Sequence, residues 1–510
     1  MRSGLPENHG LPEVILDSNL IHRDELGEIQ LTDIQFEALE AGVARGNNIL
    51  AVAPTSSGKT DVGLYAAGAW LVSGLDDGAK VVFLTSHRAL ARQKFYELIE
   101  NFAPLLMLGS DELVLATGDD ALDSNGDPVP DALAVPVIVT TYEKYLNMLS
   151  GAGFEAGRSK VCCICDEIQL IGDQNRGTSA EILLTLLKGR FGQIVGLSAV
   201  LESGYAGLLS SWLGTNLIRT VDREIPLKYE LRTARATMIT DTSSQKQPEI
   251  LKPRSINTID TLRDILTDGS DSEPIAVFCM TKKQVFDLAE DWSAEAARLG
   301  ARVDETLPLF SELTSSAEEL VRYLPHRFAY HTADLNEDER VAVETKLDDN
   351  NLRVVFATTT LASGLNYSFK TVIIHSWMRY NQLEKIWAPI PSAEFHNMAG
   401  RAGRLSRVDK AGRVIYFAGD SKELRAAPRY LSWWELEVPP PRIQPTSFSQ
   451  LGLQLLASGV ATSEVTLFEF LQSTFSAQRE MERNAQQPEL WGDAIRQAIS
   501  DLKKWRFISQ

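Results

Sequence analysis

Residues 53–60 read Ala53-Pro54-Thr55-Ser56-Ser57-Gly58-Lys59-Thr60. The segment follows a short apolar run and opens a helical pattern, the context a phosphate-binding loop requires. Successive backbone N–H groups of such a loop turn inward around phosphate oxygens, helped by the helix N-terminus. Lys59 would reach the terminal phosphates, and the Thr60 hydroxyl would ligate Mg²⁺. Ala53 stands where such loops usually begin with glycine. A second group, Asp166-Glu167-Ile168-Gln169, directly follows the apolar run Val161-Cys162-Cys163-Ile164-Cys165. At the C-terminal end of a buried parallel strand, Asp166 would hold Mg²⁺ through water, and Glu167 would orient and deprotonate the attacking water. A third group is Asn397-Met398-Ala399-Gly400-Arg401-Ala402-Gly403-Arg404. Arg401 and Arg404, each beside a glycine, read as guanidinium groups presented at a helix start. Phosphoryl transfer needs such charge as the γ-phosphate departs. Supplied from a second domain, it would make hydrolysis depend on domain closure. Each group alone has a plainer reading: a Gly-Lys helix start, a surface acidic pair, a solvated basic helix end. Their joint occurrence favours the chemistry.

These groups need a frame. At 510 residues and about 150 residues per domain, the chain has room for roughly three domains. The 50 Lys+Arg against 68 Asp+Glu give a net charge of −18, which argues against binding nucleic acid by bulk charge. A local basic groove remains compatible with that total. Four cysteines are too few for a disulfide framework, and three of them crowd into residues 162–165. They read as core of a strand in a reducing compartment rather than as a metal site. No apolar run reaches transmembrane length, and the N-terminus lacks a secretory-type apolar stretch. A cytoplasmic protein without a membrane partner is the expectation.

Short, nearly continuous apolar runs mark buried parallel strands at 48–52, 80–84, 135–139, 161–165 and 193–197. Helical patterns lie between them. A second set follows at 275–279, 352–357, 371–375 and 413–417. The expected fold is therefore α/β: two tandem doubly wound parallel-sheet domains. Residues 1–24 read as an N-terminal extension, 25–220 as the first domain, and 221–438 as a connector with the second domain. Residues 439–510 read as a small helical module behind Pro439-Pro440-Pro441, with helices at 448–458, 465–475 and 494–505. Residues 236–273 form the connector, and the acidic stretch 119–131 reads as a surface loop.

With these motifs in this order, the chain resembles superfamily 2 helicases of the superkiller-like branch, from about Leu31 to the end. That branch includes the archaeal repair helicase with a ratchet domain and the exosome-associated RNA helicases. The resemblance implies two RecA-like domains with ATP and Mg²⁺ between them, a winged helix at the C-terminus, and 3′-to-5′ movement along a single strand of DNA or RNA. It implies that Gln35 reads adenine. It also implies strand contacts from Arg88, Thr117 with Gly118, and Thr141 with Lys144. Gly196-Leu197-Ser198-Ala199-Val200 resembles the Ser-Ala-Thr coupling motif, and Arg176-Gly177 also fits the branch. In the second domain, Thr360, Gly364 and Asn366 lie in the segment that links ATP to nucleic acid, and His331 lies near the strand path.

Several residues depart from the family. Val200 replaces threonine, Asn397 replaces the usual glutamine, and Asp334 replaces a glycine near the strand path, where a carboxylate would repel phosphate unless it points away. In the basic run Arg401, Arg404, Arg407, Lys410, Arg413, the outer members 407–413 read as solvated. Residues 378–394 occupy the interval where the family carries a duplex-splitting hairpin. A wedge and a plain loop are both open here, and Pro389 and Pro391 suit only an edge. The chain is expected to end where the winged helix does, so that a ratchet or nuclease function would come from a partner protein. Two rivals stand beside a motor: an ATP-switched nucleic-acid clamp that does not unwind, and a nucleotide-hydrolysing signalling module without nucleic acid.

Overall fold

The computed structural model describes residues 2–508 except 55–56, 119, 153–157, 200, 221–224, 244–246, 269–271, 300–313, 362–366, 368, 382–384, 404–410, 432–437, 485 and 488; the side chains of 151, 152, 158, 360 and 381 are likewise outside the description. Two compact units emerge. One joins Met1–Ala53 and Ser57–Thr220 to Val438–Gln510, and the other holds Val221–Glu437 together with 54–56.

The first unit is built on an eight-stranded sheet. In spatial order its strands are Asn216–Arg219, Ile49–Val52, Gln193–Ser198, Val161–Cys165, Lys80–Thr85, Val137–Thr141, Leu113–Thr117 and Asp120–Leu122. All pairs are parallel except the last, which is antiparallel. The alternating pleat divides Val161–Cys165 between two cores. Cys162 and Ile164 join the layer with Ile15, Leu64 and Phe102, while Cys163 and Cys165 join the layer with Tyr142, Leu183 and Trp212. The cysteines are free, buried packing residues, as expected. The acidic stretch is more than a surface loop, because Asp120–Leu122 folds back as the sheet's edge strand. The N-terminal residues are tied down: Arg2–Ser3 pairs with Gln30–Leu31, and Ile15 is fully buried.

The C-terminal module belongs to this first unit. Among the described residues it contains four α-helices, Phe448–Ala457, Glu464–Gln472, Phe475–Arg483 and Leu490–Lys504, where three are expected from the sequence. The third arises because the Thr474 side chain caps a new helix, accepting from the Ala477 N–H at 3.3 Å. No strand occurs in this module among the described residues. Ile182 and Leu186 of helix Gly177–Leu187 enter the core shared by Phe448, Leu467 and Trp491. The buried Glu181 carboxylate accepts from Ser476 N at 2.6 Å and Ser476 Oγ at 2.8 Å.

The second unit has its own eight-stranded sheet. Its order is Glu249–Leu251, Thr237–Asp241, Leu227–Thr233, Gly412–Ala418, Thr371–Ile374, Ile275–Cys279, Val354–Thr358 and Phe328–His331. The connector is thus part of the sheet: Glu249–Leu251 pairs antiparallel with Thr237–Asp241, which pairs antiparallel with Leu227–Thr233, and the other pairs are parallel. Leu227–Thr233 carries no apolar run, because Glu230 and Arg232 are buried within it. Among the described residues no helix is long and apolar enough to cross a membrane.

Candidate nucleotide and nucleic-acid sites

The phosphate-loop segment follows strand Ile49–Val52 and opens helix Lys59–Gly74. Gly58 has φ +81°, a left-handed conformation that favours glycine. A Cβ there would lie 2.3 Å from Gln35 Nε2. The Lys59 ammonium reaches across the turn to donate to the Ala53 carbonyl at 2.7 Å. Pro54 and Ser57 are buried beside it, and Thr60 stands in the helix's first turn. Thr55 and Ser56 lie outside the described residues.

Gln35 is locked against this loop. Its Oε1 accepts from Thr32 N at 2.9 Å, closing a capping box. Its Nε2 donates to Asp61 Oδ2 at 2.8 Å and to the Gly58 carbonyl at 3.4 Å. The Thr32 hydroxyl donates to the Ser57 carbonyl at 2.7 Å. The upstream glutamine and the phosphate loop are therefore one hydrogen-bonded assembly. Burial pushes Asp61 up to about 6, against the opposing pull of the Lys94 charge.

Asp166 ends strand Val161–Cys165, one strand away from Ile49–Val52 across Gln193–Ser198. Tyr142 Oη donates to its carbonyl at 2.9 Å, and its own N–H donates to the Leu84 carbonyl at 2.9 Å. Asp166 Oδ1 accepts from Glu167 N at 3.0 Å. Burial, then the neighbouring Glu167 charge, push Asp166 up to about 6, while Lys94 and Lys59 pull it down. Glu167 adopts φ +52°, the left-handed turn that takes the chain off the strand end.

Sequence reasoning missed Gln169. Its Nε2 donates to Glu167 Oε2, and its Oε1 accepts from Ser198 Oγ at 2.8 Å and Ala199 N at 3.3 Å. One amide thus joins the acidic pair to the coupling motif. Its place two residues beyond Glu167 was the available signal. Val200 lies outside the described residues.

The strand-contact candidates of the first unit also meet. Arg88 lies over Gly118, where a Cβ would stand 3.2 Å from its Nη1. Thr117 ends its strand next to Gly118. Thr141 Oγ1 accepts from Lys144 N at 3.3 Å, and Thr141 itself is buried.

In the second unit, Arg401 is buried and follows the C-terminus of helix Ser392–Ala399. The helix-start expectation is corrected there: the helix ends at Ala399 with Gly400 as its C-cap, so Arg401 lies just past a helix C-terminus. Arg404, Gly364 and Asn366 lie outside the described residues, as does the side chain of Thr360, whose backbone sits in a 3₁₀ turn. His331 is buried, with Nε2 at 3.2 Å from Glu344 Oε1. Asp334 is ion-paired with Lys282, which offsets its charge toward phosphate. Arg413 is a correction: it is not a solvated cation but holds the buried Glu230, with Nη2 at 2.7 Å from Oε2.

The open interval resolves into a two-stranded hairpin, Met378–Asn381 with Ile386–Pro389. Its root is packed. Trp377 is buried and donates to the Phe417 carbonyl at 2.8 Å, and Ile390 N donates to the Trp377 carbonyl at 2.9 Å. Arg379 is tied to Glu394. Toward the tip, Tyr380 faces Trp387 across the strands, with ring centroids 5.8 Å apart. Both stay about half exposed, at 45% and 52%.

Residues 32–206 match the DEAD/DEAH box helicase family, and residues 257–406 match the helicase conserved C-terminal domain. The chain is 30% identical over 499 residues to the ATP-dependent DNA helicase Hel308 of Pyrococcus abyssi, covering 95% of this chain and 63% of that protein. It is 31% identical over 401 residues to the Hel308 of Methanocella arvoryzae, covering 76% and 51% respectively. The Aeropyrum pernix Hel308 is 28% identical over 497 residues, covering 94% and 62%. The chain belongs to the superfamily 2 helicases. It spans between half and two thirds of the length of these curated relatives. The helicase-family segments contain every motif described above, from Gln35 to Arg401. The four-helix module at 448–504 lies beyond both.

Proposed function

We propose that the chain is an ATP-dependent motor on single-stranded nucleic acid that unwinds duplex ahead of it, moving 3′ to 5′. The observation that carries this reading is the joint presence of the phosphate-loop and acidic-pair assembly and an anchored hairpin with an exposed aromatic pair. A clamp needs the first of these and has no use for the second. The similarity to DNA helicases favours DNA as the strand. ATP binds at 53–60, and Lys59 neutralises its terminal phosphates. Asp166 and Thr60 fit Mg²⁺ by donor chemistry: a desolvated carboxylate and a hydroxyl are the hard oxygen ligands that ion takes. When bound, Mg²⁺ neutralises the charge developing between the β- and γ-phosphates. Glu167, steadied by Gln169, orients the attacking water, and Arg401 and Arg404 supply positive charge from the second domain. Arg88 and Lys144 hold the strand backbone, which needs few contacts if the strand is to slide. The Tyr380–Trp387 pair offers a π-face to the first unpaired base. A partner protein supplies any ratchet or nuclease function, and the cytoplasm is the compartment that suits the reduced cysteines.

The test is ATP turnover with single-stranded DNA and RNA side by side, together with strand displacement on a tailed duplex. Stimulation by a strand and displacement of the duplex are expected, more strongly with DNA. Stimulation without any displacement would leave a clamp; hydrolysis indifferent to both strands would leave a signalling module.

A further inference from the structure

Arg176 lies ten residues beyond Asp166, just before helix Gly177–Leu187. Nothing in the mechanism above uses it, yet its guanidinium engages two side chains from two other segments of the first unit. Its Nε donates to Glu143 Oε1 and its Nη2 to Glu143 Oε2, both at 2.7 Å, a two-pronged fork. Its Nη1 lies 2.9 Å from His87 Nδ1. A guanidinium only donates, so His87 Nδ1 is the acceptor and the imidazole proton sits on Nε2. Burial, then the Arg176 charge, hold His87 below its ordinary range, which keeps it neutral in that role. The backbone N–H of Arg176 donates to Asp173 Oδ1 at 2.9 Å, which fixes the backbone of the loop.

The partners are adjacent in sequence to the strand-contact candidates. His87 precedes Arg88, and Glu143 precedes Lys144. Arg176 therefore ties both strand-contacting loops to the segment 167–176 that begins at the acidic pair. The charges that act on His87 are those of Arg176, Glu143, Glu167 and Asp173, so the catalytic carboxylate lies within its electrostatic reach. The other side of the same segment is held too: Arg442 Nε, from the C-terminal part of this unit, donates to the Gly172 carbonyl at 2.9 Å. A partly exposed ion pair of this kind, its side chains 24% and 35% exposed, contributes about 0–1 kcal/mol to stability, too little to explain such an elaborate junction as a fold anchor.

We propose that Arg176 is a positioning residue that couples strand binding to hydrolysis, by holding the loops of Arg88 and Lys144 in register with the segment that carries Glu167. This rests on the reading that a strand stimulates the ATPase. When a strand engages those loops, the fork passes the displacement to residues 167–176 and so to the orientation of Glu167.

The experiment uses the full chain and a short oligo-dT. ATP turnover is measured with and without the oligonucleotide, strand affinity by fluorescence anisotropy, and folding by a melting curve. Arg176→Gln should lower the ratio of stimulated to basal turnover by about tenfold or more, since small misplacements of catalytic groups cost that much. Oligo-dT affinity should fall by much less. Arg176→Lys, which keeps charge but not the fork, should not restore the ratio. Glu143→Gln removes the fork from the other side, and should show the same loss if Arg176→Gln proves too unstable to assay. Parallel losses of both rates with an unchanged ratio would mean a structural role only and overturn the proposal; so would full rescue by lysine. A wild-type chain that oligo-dT does not stimulate would instead fail the functional reading itself, and this inference with it.

Discussion

Two carboxylates, one buried within a strand of the second unit and one just past a strand end of the first, meet opposite fates. Glu230 of the second unit sits mid-strand at 3% exposure, ringed by guanidinium groups. Arg232 Nε is at 2.7 Å, Arg413 Nη2 at 2.7 Å and Arg254 Nη1 at 3.1 Å. Burial raises its carboxyl, but the Arg413 and Arg232 charges outweigh that and hold it below its ordinary range. Asp166 of the first unit sits at a strand end and receives one backbone N–H. Burial and Glu167 push it up to about 6, and the lysines only moderate this. A carboxylate whose charge is fully met inside the protein is part of the fold. One whose charge is left partly unmet, beside the phosphate-loop segment, is where we propose that the cation binds.

Four outcomes would break or sharpen that contrast. The largest belongs to the structural carboxylate. Glu230→Ala leaves Arg232 buried without its partner and should destabilise the second unit by about 3–5 kcal/mol, read as a loss in denaturant midpoint. A mild effect would mean the guanidinium ring is not needed to hold the sheet. Next, Lys59→Ala should cut ATP turnover by about 10²–10³-fold while leaving the melting curve in place, because it removes charge from a cleft and no core volume. Turnover above about a tenth of wild type would sink the phosphate-loop assignment.

Asp166→Asn sharpens the comparison most directly. It should abolish hydrolysis, yet leave stability unchanged or raise it by about 1 kcal/mol, roughly 2–4 °C, when melted in chelator at neutral pH. The sign follows from the raised value: at neutral pH the folded state must carry an ionised carboxylate it would sooner keep protonated, and asparagine relieves that. If Asp166→Asn destabilised as Glu230→Ala does, the two carboxylates would not differ in kind. The smallest effect concerns the hairpin. Tyr380→Ala with Trp387→Ala should keep strand-stimulated hydrolysis and slow duplex displacement by about tenfold, since stacking on an aromatic contributes about 1–3 kcal/mol per base. Displacement at the wild-type rate would reduce the hairpin to a surface ornament.

Much of this protein is legible in its sequence. The apolar runs at 49–52, 161–165, 193–198 and 275–279 are strands because a parallel sheet covered on both faces demands uninterrupted hydrophobicity. The phosphate loop and the acidic pair are legible for a related reason: backbone cradles and metal ligands require particular residue types at fixed spacing. Residues whose roles depend on distant partners are not legible. Leu227–Thr233 does not read as a strand, since its Glu230 and Arg232 look solvent-seeking until Arg413, 183 residues away, completes the ion network. Gln169 looks like an ordinary polar residue of a loop until Ser198 comes within hydrogen-bond reach, and Arg176, though its Arg-Gly pair fits the branch, has no legible partner until Glu143 and His87 do. The sequence by itself determined the apolar parallel strands and the segments where we propose phosphate chemistry, because those are set by local pattern and spacing. Only the tertiary structure decided which charges are neutralised and which are left for a ligand, because compensation is a matter of distance in space and not along the chain.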